Sequence, residues 1–552
     1  MLLFLIIMMV PRCELTIIYH GAIIMKDKYD VIVIGGGHNG LTSACYLQKA
    51  GLDVLVLERL DRAGGGAWHE EATLPGYTHN LASVFHGILH MGPVYKDLEL
   101  KKYGAEYIWP DAQVAAVFKN GSCLVFYRDL EKTCKEIARF SEKDAETYRQ
   151  LAQYFRVLTD NMIAPWLFNP PQPVSLSAAA MEGSVEGMNM LRMQMSSTKN
   201  IVNELFESNE LKSFLLAFIK EFGGSPDTLG FGVFVPMMLG ETHEPHGWAI
   251  CKGGSGNLAK AFVNCLEDHG GTVKTNAEVT RIITEGDKAT GVELKDGTII
   301  HAGKMILSNL DPKLTFLNLV GEQQLDDSFK KSVKRYRDEE AILFTTHLAL
   351  DEPLNWKCAN FNPDVNRCIG VLLIDEPQEI YDDFADIIKR ELPMYPRMFT
   401  AYPSNVDPSQ APAGKGTAQG WQYVPYNLRD GGPDKWDEIK ESYADRCMEV
   451  WSEYVTNMDK AVLKRHIMSP RDTERLWTSM VHGGFNHGEM TQDQLTVFRP
   501  FVEYDPYKTP YSNLYMCGAS THPSGSIGGA CGYNAVQVIA DDLKMKKKWW
   551  DK

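Results

Sequence analysis

The residues with the clearest chemical potential stand near the start of the chain. Tyr29 to Ile34 is an apolar run, and Gly35-Gly36-Gly37-His38-Asn39-Gly40 is a glycine turn. Leu41 to Ala50 is a helical run, and Asp53 to Leu57 is a second apolar run closed by Glu58. The order reads strand, turn, helix, strand, acid. Gly35 permits a tight turn, Gly37 lets the backbone approach a pyrophosphate, and Gly40 lets the helix pack close to the sheet. The helix N-terminus, at His38 and Asn39, offers free N–H groups and a positive dipole end to phosphates. Glu58 closes the second strand, where a carboxylate accepts both hydroxyls of a ribose. A lone G-x-G-x-x-G is weak, but the flanking strands and the acid in register make this one a dinucleotide site. The plain alternative is a βαβ unit with a permissive turn.

A second glycine cluster follows: Arg59, then Arg62-Ala63-Gly64-Gly65-Gly66. A simple nicotinamide domain has no such loop. Near the far end, Leu514 to Cys517 is a short apolar strand, Gly518-Ala519 to Gly528-Gly529 is glycine-rich, and a helical run follows to Ala540. Together these resemble the two-dinucleotide-binding flavoproteins. The resemblance implies that Arg59 and Gly64–Gly66 lie along the pyrophosphate and ribityl chain of FAD. It also implies that the last helix, behind Gly528 and Gly529, points its N-terminus at the flavin N1/C2 carbonyl edge, where reduced flavin is anionic.

More specifically, the chain resembles the phytoene dehydrogenase-related flavoproteins of the amine oxidase-like FAD group, in their carotenoid ketolase-type, phytoene dehydrogenase-like branch. The residues that carry this are the Gly35–Gly40 turn, Glu58, Arg62 with its glycines, and Gly76-Tyr77-Thr78-His79-Asn80. Further matches are Lys252 to Leu258, Gly483 to Met490 with Gln494 and Arg499-Pro500, and Cys517 to Pro523. The resemblance spans residues 29–540 and implies an α/β fold: a Rossmann-like two-dinucleotide-binding FAD domain interleaved with a mixed α+β substrate domain. It also implies that the Val279 backbone meets the adenine. One departure is Ala519 after Gly518, where the wider group carries an acid; backbone N–H groups are expected to hold the cofactor there.

The expected organisation is an N-terminal extension (1–25), FAD domain pieces at 26–100, 245–315 and 511–545, substrate domain pieces at 101–244 and 316–510, and a tail (546–552). Within the second FAD piece, Thr272 to Ile283 reads as one alternating strand, and Asp296-Gly297 as the turn of a hairpin. Met1 to Val10 is apolar but too short to span a bilayer, and it lacks the basic start of a secretory signal, so an extension outside the fold is expected and a membrane-associating or targeting segment is the alternative. The tail Lys544 to Lys552 is basic and aromatic; a frayed end is its plain reading, a membrane-surface contact the sharper one.

FAD chemistry takes a hydride from a C–H bond held against the ring, and a desaturation also releases a proton. The resemblance makes His79, His86, His482, His487 and Glu489 candidates to accept it, because they lie in segments expected near the flavin. Each has a structural alternative, and no firm catalytic residue emerges. The pairs His86/His90 and His243/His246 have helical spacing but no cysteine or carboxylate frame, so no metal is expected. Apolar stretches at 162–168, 188–195, 214–219 and 231–239 either line an apolar tunnel or form helix core. The expected activity is hydride transfer from a hydrophobic, isoprenoid or carotenoid, substrate. Amine oxidation, ketolation, FAD-assisted isomerisation and a low-turnover flavin-binding regulator stay open. No second strand–G-x-G-x-x-G–helix unit appears, so the electrons are expected to leave to oxygen, a quinone or a carrier protein, with direct, less organised reduction by NAD(P)H as the alternative.

Composition fits this reading. The chain has 552 residues, 44% hydrophobic, with net charge −15, which argues against nucleic acid as a partner. Its eleven cysteines include no C-x-x-C pair, which removes the dithiol relay of disulfide reductases and points to reduced thiols in a cytoplasm-like compartment.

Overall fold

The computed structural model describes residues 26–545; the N-terminal extension and the tail read above lie outside these residues. Two seven-stranded sheets organise the chain. In the first, Lys28–Ile34 is central. It runs parallel to Val54–Leu57 on one side and to the end of Ile299–Ser308 on the other. Thr272–Lys274 extends the sheet beyond Val54–Leu57, and Leu514–Met516 pairs in parallel with the last residues of Ile299–Ser308. Helices His38–Lys49, Gly256–Asp268 and Ala530–Asp542 pack on one face. Phe316, Phe329 and Phe501 cover the other. Burial on both faces is why these strands read as unbroken apolar runs rather than alternating ones.

The single strand expected from Thr272 to Ile283 is two. Asn276, at φ +51°, turns the chain between Thr272–Lys274 and Val279–Glu285. The first piece lengthens the parallel sheet and the second opens an antiparallel hairpin with Lys288–Leu294. The Asp296-Gly297 turn then leads into Ile299–Ser308, with Gly297 at φ +86°.

The second sheet runs in the order Val462–Met468, Ala341–Leu350, Gly416–Pro425, Phe399–Ala401, Gly370–Leu373, Ala112–Val117, Cys123–Tyr127. One face packs on helix Trp436–Ser452 through Trp436 and Trp451. The other carries a cap of helices between residues 130 and 241, among them Glu142–Leu158, Asn209–Ile219 and Phe234–Glu241. Local signals start several cap helices: the side chains of Asp129, Ser141, Ser184 and Ser197 each accept a backbone N–H of the first turn. No helix among the described residues is long and apolar enough to cross a membrane.

Candidate active site

The glycine turn makes the first part of the site. Helix His38–Lys49 begins after Gly37 with no side-chain cap and no acid in its first turn, so its first N–H groups have no partner within the helix. Gly64 N–H donates to Gly36 O at 2.9 Å and ties the two glycine clusters together. A Cβ on Gly65 would stand 3.0 Å from Gly37 Cα, and one on Gly40 would stand 2.5 Å from Gly35 O. These close approaches require glycine. Asn309 completes the cradle: its Nδ2 donates to Gly35 O at 3.2 Å, and its own carbonyl lies where a Cβ on Gly518 would fall, at 2.8 Å.

Glu58 is held from both sides. Oε2 accepts Gly36 N–H and Oε1 accepts Leu60 N–H, each at 2.8 Å. Burial pushes this carboxyl up, and the two N–H bonds and Arg59 oppose the shift.

Around these residues lies a cavity of about 530 Å³. Gly35, Gly37, His38, Asn39, Glu58, Arg59, Gly65, Gly66, Val279 and Ala519 all line it. The remaining glycines of the sequence reading stand behind the wall. Gly40 packs on the Gly35 carbonyl, Gly64 on Ala67 and Ala259, Gly518 on Asn309, and Gly528 on Ile88. Gly529, at φ +71°, starts the last helix against Thr42. The stretch Gly525-Ser526-Ile527 reaches the cavity in place of Gly528 and Gly529. Close backbone approach, unpaired helix N–H groups and a buried acid on one wall fit a dinucleotide.

A larger cavity of about 1170 Å³ lies beside it, lined by Met162, Trp166, Met181, Met190, Met195, Phe218, Phe222, Phe234, Met237 and Met490 among others. The apolar stretches of the sequence divide accordingly. Phe214, Leu215 and Leu216 are core, whereas Phe218 and Met190 serve both core and cavity wall. The two cavities meet: Phe85, Glu221, Trp248, Phe485, Gly525, Ser526 and Ile527 line both. Phe85 and Trp248 stand edge to face there, with centroids 4.9 Å apart. Two acids face this apolar space. Glu221 Oε2 accepts the Trp421 indole N–H at 2.6 Å, and Oε1 has no hydrogen-bond partner. Glu241, at the end of helix Phe234–Glu241, has its buried Oε2 unpartnered, and burial pushes its carboxyl up to about 8.

The proton-acceptor candidates are scattered. His79 Nε2 bonds Thr73 Oγ1 at 2.7 Å, and His86 is held between Tyr107 OH at 2.7 Å and Ser83 Oγ at 2.8 Å; neither residue lines either of these two cavities. His482 stacks on Tyr426 at 4.3 Å, also away from both cavities. Glu489 is ion-paired to Arg337 at 2.6 Å, half-buried outside them. His487 does line the dinucleotide cavity, with Nδ1 unpartnered; burial, then Arg499 and His38, push it down to about 3. The segment that carries His482, His487 and Glu489 is shaped by Arg499, whose buried guanidinium donates to the carbonyls of Asn486, Glu489, Gln494 and Ala519. Among the described residues no group of three or more His, Cys, Asp or Glu side chains could hold a metal.

Sequence reasoning passed over Asn309, Glu221, Trp248 and Phe485. Two had a readable signal. Asn309 ends the strand that returns beside the glycine turn. Glu221 interrupts the apolar stretch from Phe214 to Phe222.

The fold and the glycine-built cavity define a dinucleotide-binding class. The family model for flavin containing amine oxidoreductases matches residues 40–314. A limonene dehydrogenase subunit from Castellaniella defragrans is 31% identical over 540 residues, covering 94% of this chain and 96% of that one. Pyridine nucleotide-disulfide oxidoreductase domain-containing protein 2 of Rattus norvegicus is 30% identical, covering 94% of each chain. Phytoene desaturase (lycopene-forming) of a Paracoccus species is 25% identical, covering 93% and 97%. Among solved structures, an oxidoreductase from Methanosarcina mazei superposes with a TM-score of 0.59 at 19% identity, covering 93% of this chain and 100% of that one. Cyclohexylamine oxidase from Brevibacterium oxydans does so with a TM-score of 0.54 at 15% identity, covering 94% and 99%. The chain belongs to the flavin containing amine oxidoreductase family, in its phytoene dehydrogenase-related part, and is an FAD-dependent enzyme.

Proposed function

We propose that this enzyme dehydrogenates a hydrophobic molecule, of isoprenoid or carotenoid type, held in the larger cavity. The observation that carries this is the junction: an apolar space of about 1170 Å³ opens onto the dinucleotide cavity through Phe85, Trp248 and Phe485. Bound FAD supplies the hydride acceptor. The chain's own residues bind and orient. Gly37, Gly65 and the N–H groups of His38 and Asn39 receive the pyrophosphate, Glu58 the ribose, and Val279 the adenine. The Met and Phe walls exclude water and accept an irregular apolar shape, since thioether side chains adapt to it. The limonene and phytoene named in two relatives support the substrate class.

The mouth of the larger cavity carries exposed apolar side chains: Met162 and Trp166 at 42%, Val174 at 52% and Met195 at 62%. This supports entry of the substrate from a membrane surface, with the enzyme seated on it peripherally. Electrons leave the flavin to oxygen, a quinone or a carrier protein. A second reading, oxidation of an amine, is favoured by the aromatic pair Phe85 and Trp248 at the junction. Anaerobic titration of the FAD-loaded enzyme separates the two: bleaching of the oxidised flavin band by limonene or phytoene supports dehydrogenation. Bleaching by cyclohexylamine alone moves the assignment to amine oxidation.

A further inference from the structure

Dehydrogenation removes a hydride and a proton from neighbouring substrate atoms, so a proton acceptor must stand within reach of the reacting centre. From the geometry we propose that Glu221 is that acceptor. The proposal rests on the oxidation assigned above to the larger cavity.

Of the described side chains that line both cavities, Glu221 alone is ionisable. It sits in the short turn Lys220–Phe222 that ends helix Asn209–Ile219. One carboxyl oxygen is fixed: Oε2 accepts the Trp421 indole N–H at 2.6 Å, and Trp421 itself lines the dinucleotide cavity. The other oxygen, Oε1, has no hydrogen-bond partner. The Trp421 bond therefore orients the carboxyl at the junction, as a positioned base requires, while Oε1 is enclosed beside Lys220.

The charged and titratable groups around it are few. Lys220, on the same turn, has its Nζ 4.0 Å from Oε1 but donates to Arg397 O at 2.9 Å. Tyr423, on strand Gly416–Pro425, places its phenol 3.4 Å from the Glu221 carbonyl. Glu339 lies behind Gly223, where a Cβ on that glycine would meet its carboxylate oxygen at 3.6 Å. The other junction side chains, Phe85, Trp248 and Phe485, carry no charge. Burial raises the Glu221 carboxyl to about 7, with Lys220 and the Trp421 bond opposing the shift. A carboxyl balanced near neutrality can both take a proton and return it. His487 reaches only the dinucleotide cavity, and His246 only the larger one, where Asp160 holds it at 2.8 Å.

The balance is simple. A C–H bond of the substrate gives up a hydride in the oxidation. The bond from hydrogen to the neighbouring atom breaks with its electron pair staying on the substrate, where it forms the new π bond. The proton joins the Glu221 carboxylate, which becomes a neutral acid until solvent takes the proton back.

The test compares the FAD-loaded wild type with Glu221→Gln, which keeps an acceptor for the Trp421 N–H and nearly the same volume. Infrared difference spectra are recorded across about pH 5–9, followed by anaerobic reduction by limonene, phytoene and cyclohexylamine. The expected result is a protonated-carboxyl band that titrates near neutrality in the wild type and is missing from the variant. Flavin reduction should slow by about 10²–10⁴-fold and lose its titration near neutrality. A carboxyl attributable to Glu221 that does not titrate in this range overturns the proposal. So does a variant reduced within about threefold of the wild type with an unchanged pH profile, because a base contributes far more than that. If none of the probes reduces the wild type, the proposed function fails, while the infrared titration still judges Glu221 on its own.

Discussion

The two joined cavities are built on different principles. One wall of the dinucleotide cavity is close-packed backbone, Gly37 against Gly65, Gly64 bonded to Gly36, and Glu58 pinned by two N–H groups, while Leu, Phe and Trp side chains line the rest. The walls of the larger cavity are side chains of Met, Phe and Trp from distant segments, with two incompletely paired acids among them. Backbone fixes position to fractions of an ångström and admits one ligand shape. A side-chain wall can repack around many. On the function proposed above, the cofactor is specified by local chain geometry and the substrate by assembled surface.

Breaking the backbone-built half should have the largest effect. Gly40→Val puts a Cβ 2.5 Å from the Gly35 carbonyl, which cannot move without distorting the turn. The purified variant is expected to be colourless, as read from its flavin absorbance, and to stay so with added FAD. Next in size is Glu58→Ala, which leaves the Gly36 and Leu60 N–H groups without their acceptor. Loss of charge-assisted bonds worth about 1.5–3 kcal/mol should weaken FAD binding by roughly 10–100-fold in a flavin titration. Glu221→Gln, at the junction and with an acceptor kept for the Trp421 N–H, should change FAD affinity by less than about threefold. Equal losses in the two variants would erase the distinction between the cavities.

A smaller effect is the pH dependence of stability without ligand. His86 is buried and His38 and His487 are half-buried, and desolvation pushes His38, His86 and His487 down to about 4, 3 and 3. Groups with lowered values contribute stability that is present above their ordinary value near 6.5 and is lost as pH falls through the folded value. Glu221, Glu241 and Asp311 are pushed up to about 7, 8 and 7. Their contribution is present below their ordinary values near 4 and is lost as pH rises through the folded values. The melting temperature of the FAD-free protein should therefore peak between about pH 4.5 and 6.5. Glu241→Gln should raise the alkaline limb by on the order of 1–3 °C and leave the acid limb unchanged. A limb that does not respond contradicts the buried, unpaired state of this carboxyl. The smallest effect is expected for Glu489→Gln: its partner is a half-exposed arginine, and such pairs contribute about 0–1 kcal/mol. Flavin reduction should stay within about twofold of the wild type in stopped-flow kinetics; a larger drop would return Glu489 to the list of proton acceptors.

The same contrast explains what was legible in the sequence. The strand, turn, helix and acid around Gly35–Glu58 obey rules that act within some thirty residues, so spacing alone located them. Further along the same sheet, the reading of residues 272–283 as one strand missed the left-handed Asn276 that splits it. The junction was not legible. Phe85, Glu221, Trp248 and Phe485 are separated by long stretches of chain and meet only through the fold. The segment from His482 to Arg499 carries two histidines, His482 and His487, expected near the cofactor. Its strongest constraint is instead the buried Arg499, which gathers carbonyls from Asn486 to Ala519. A guanidinium serving backbone oxygens leaves no pattern that spacing reveals.

The central claim is that an apolar substrate in the larger cavity delivers its electrons to FAD in the smaller one. Anaerobic titration of the FAD-loaded enzyme with limonene, phytoene and cyclohexylamine, followed by flavin absorbance, tests it most directly. The account predicts that an isoprenoid bleaches the oxidised flavin band stoichiometrically and that the amine does not. A flavin untouched by both isoprenoids, and reduced only by the amine, would contradict it.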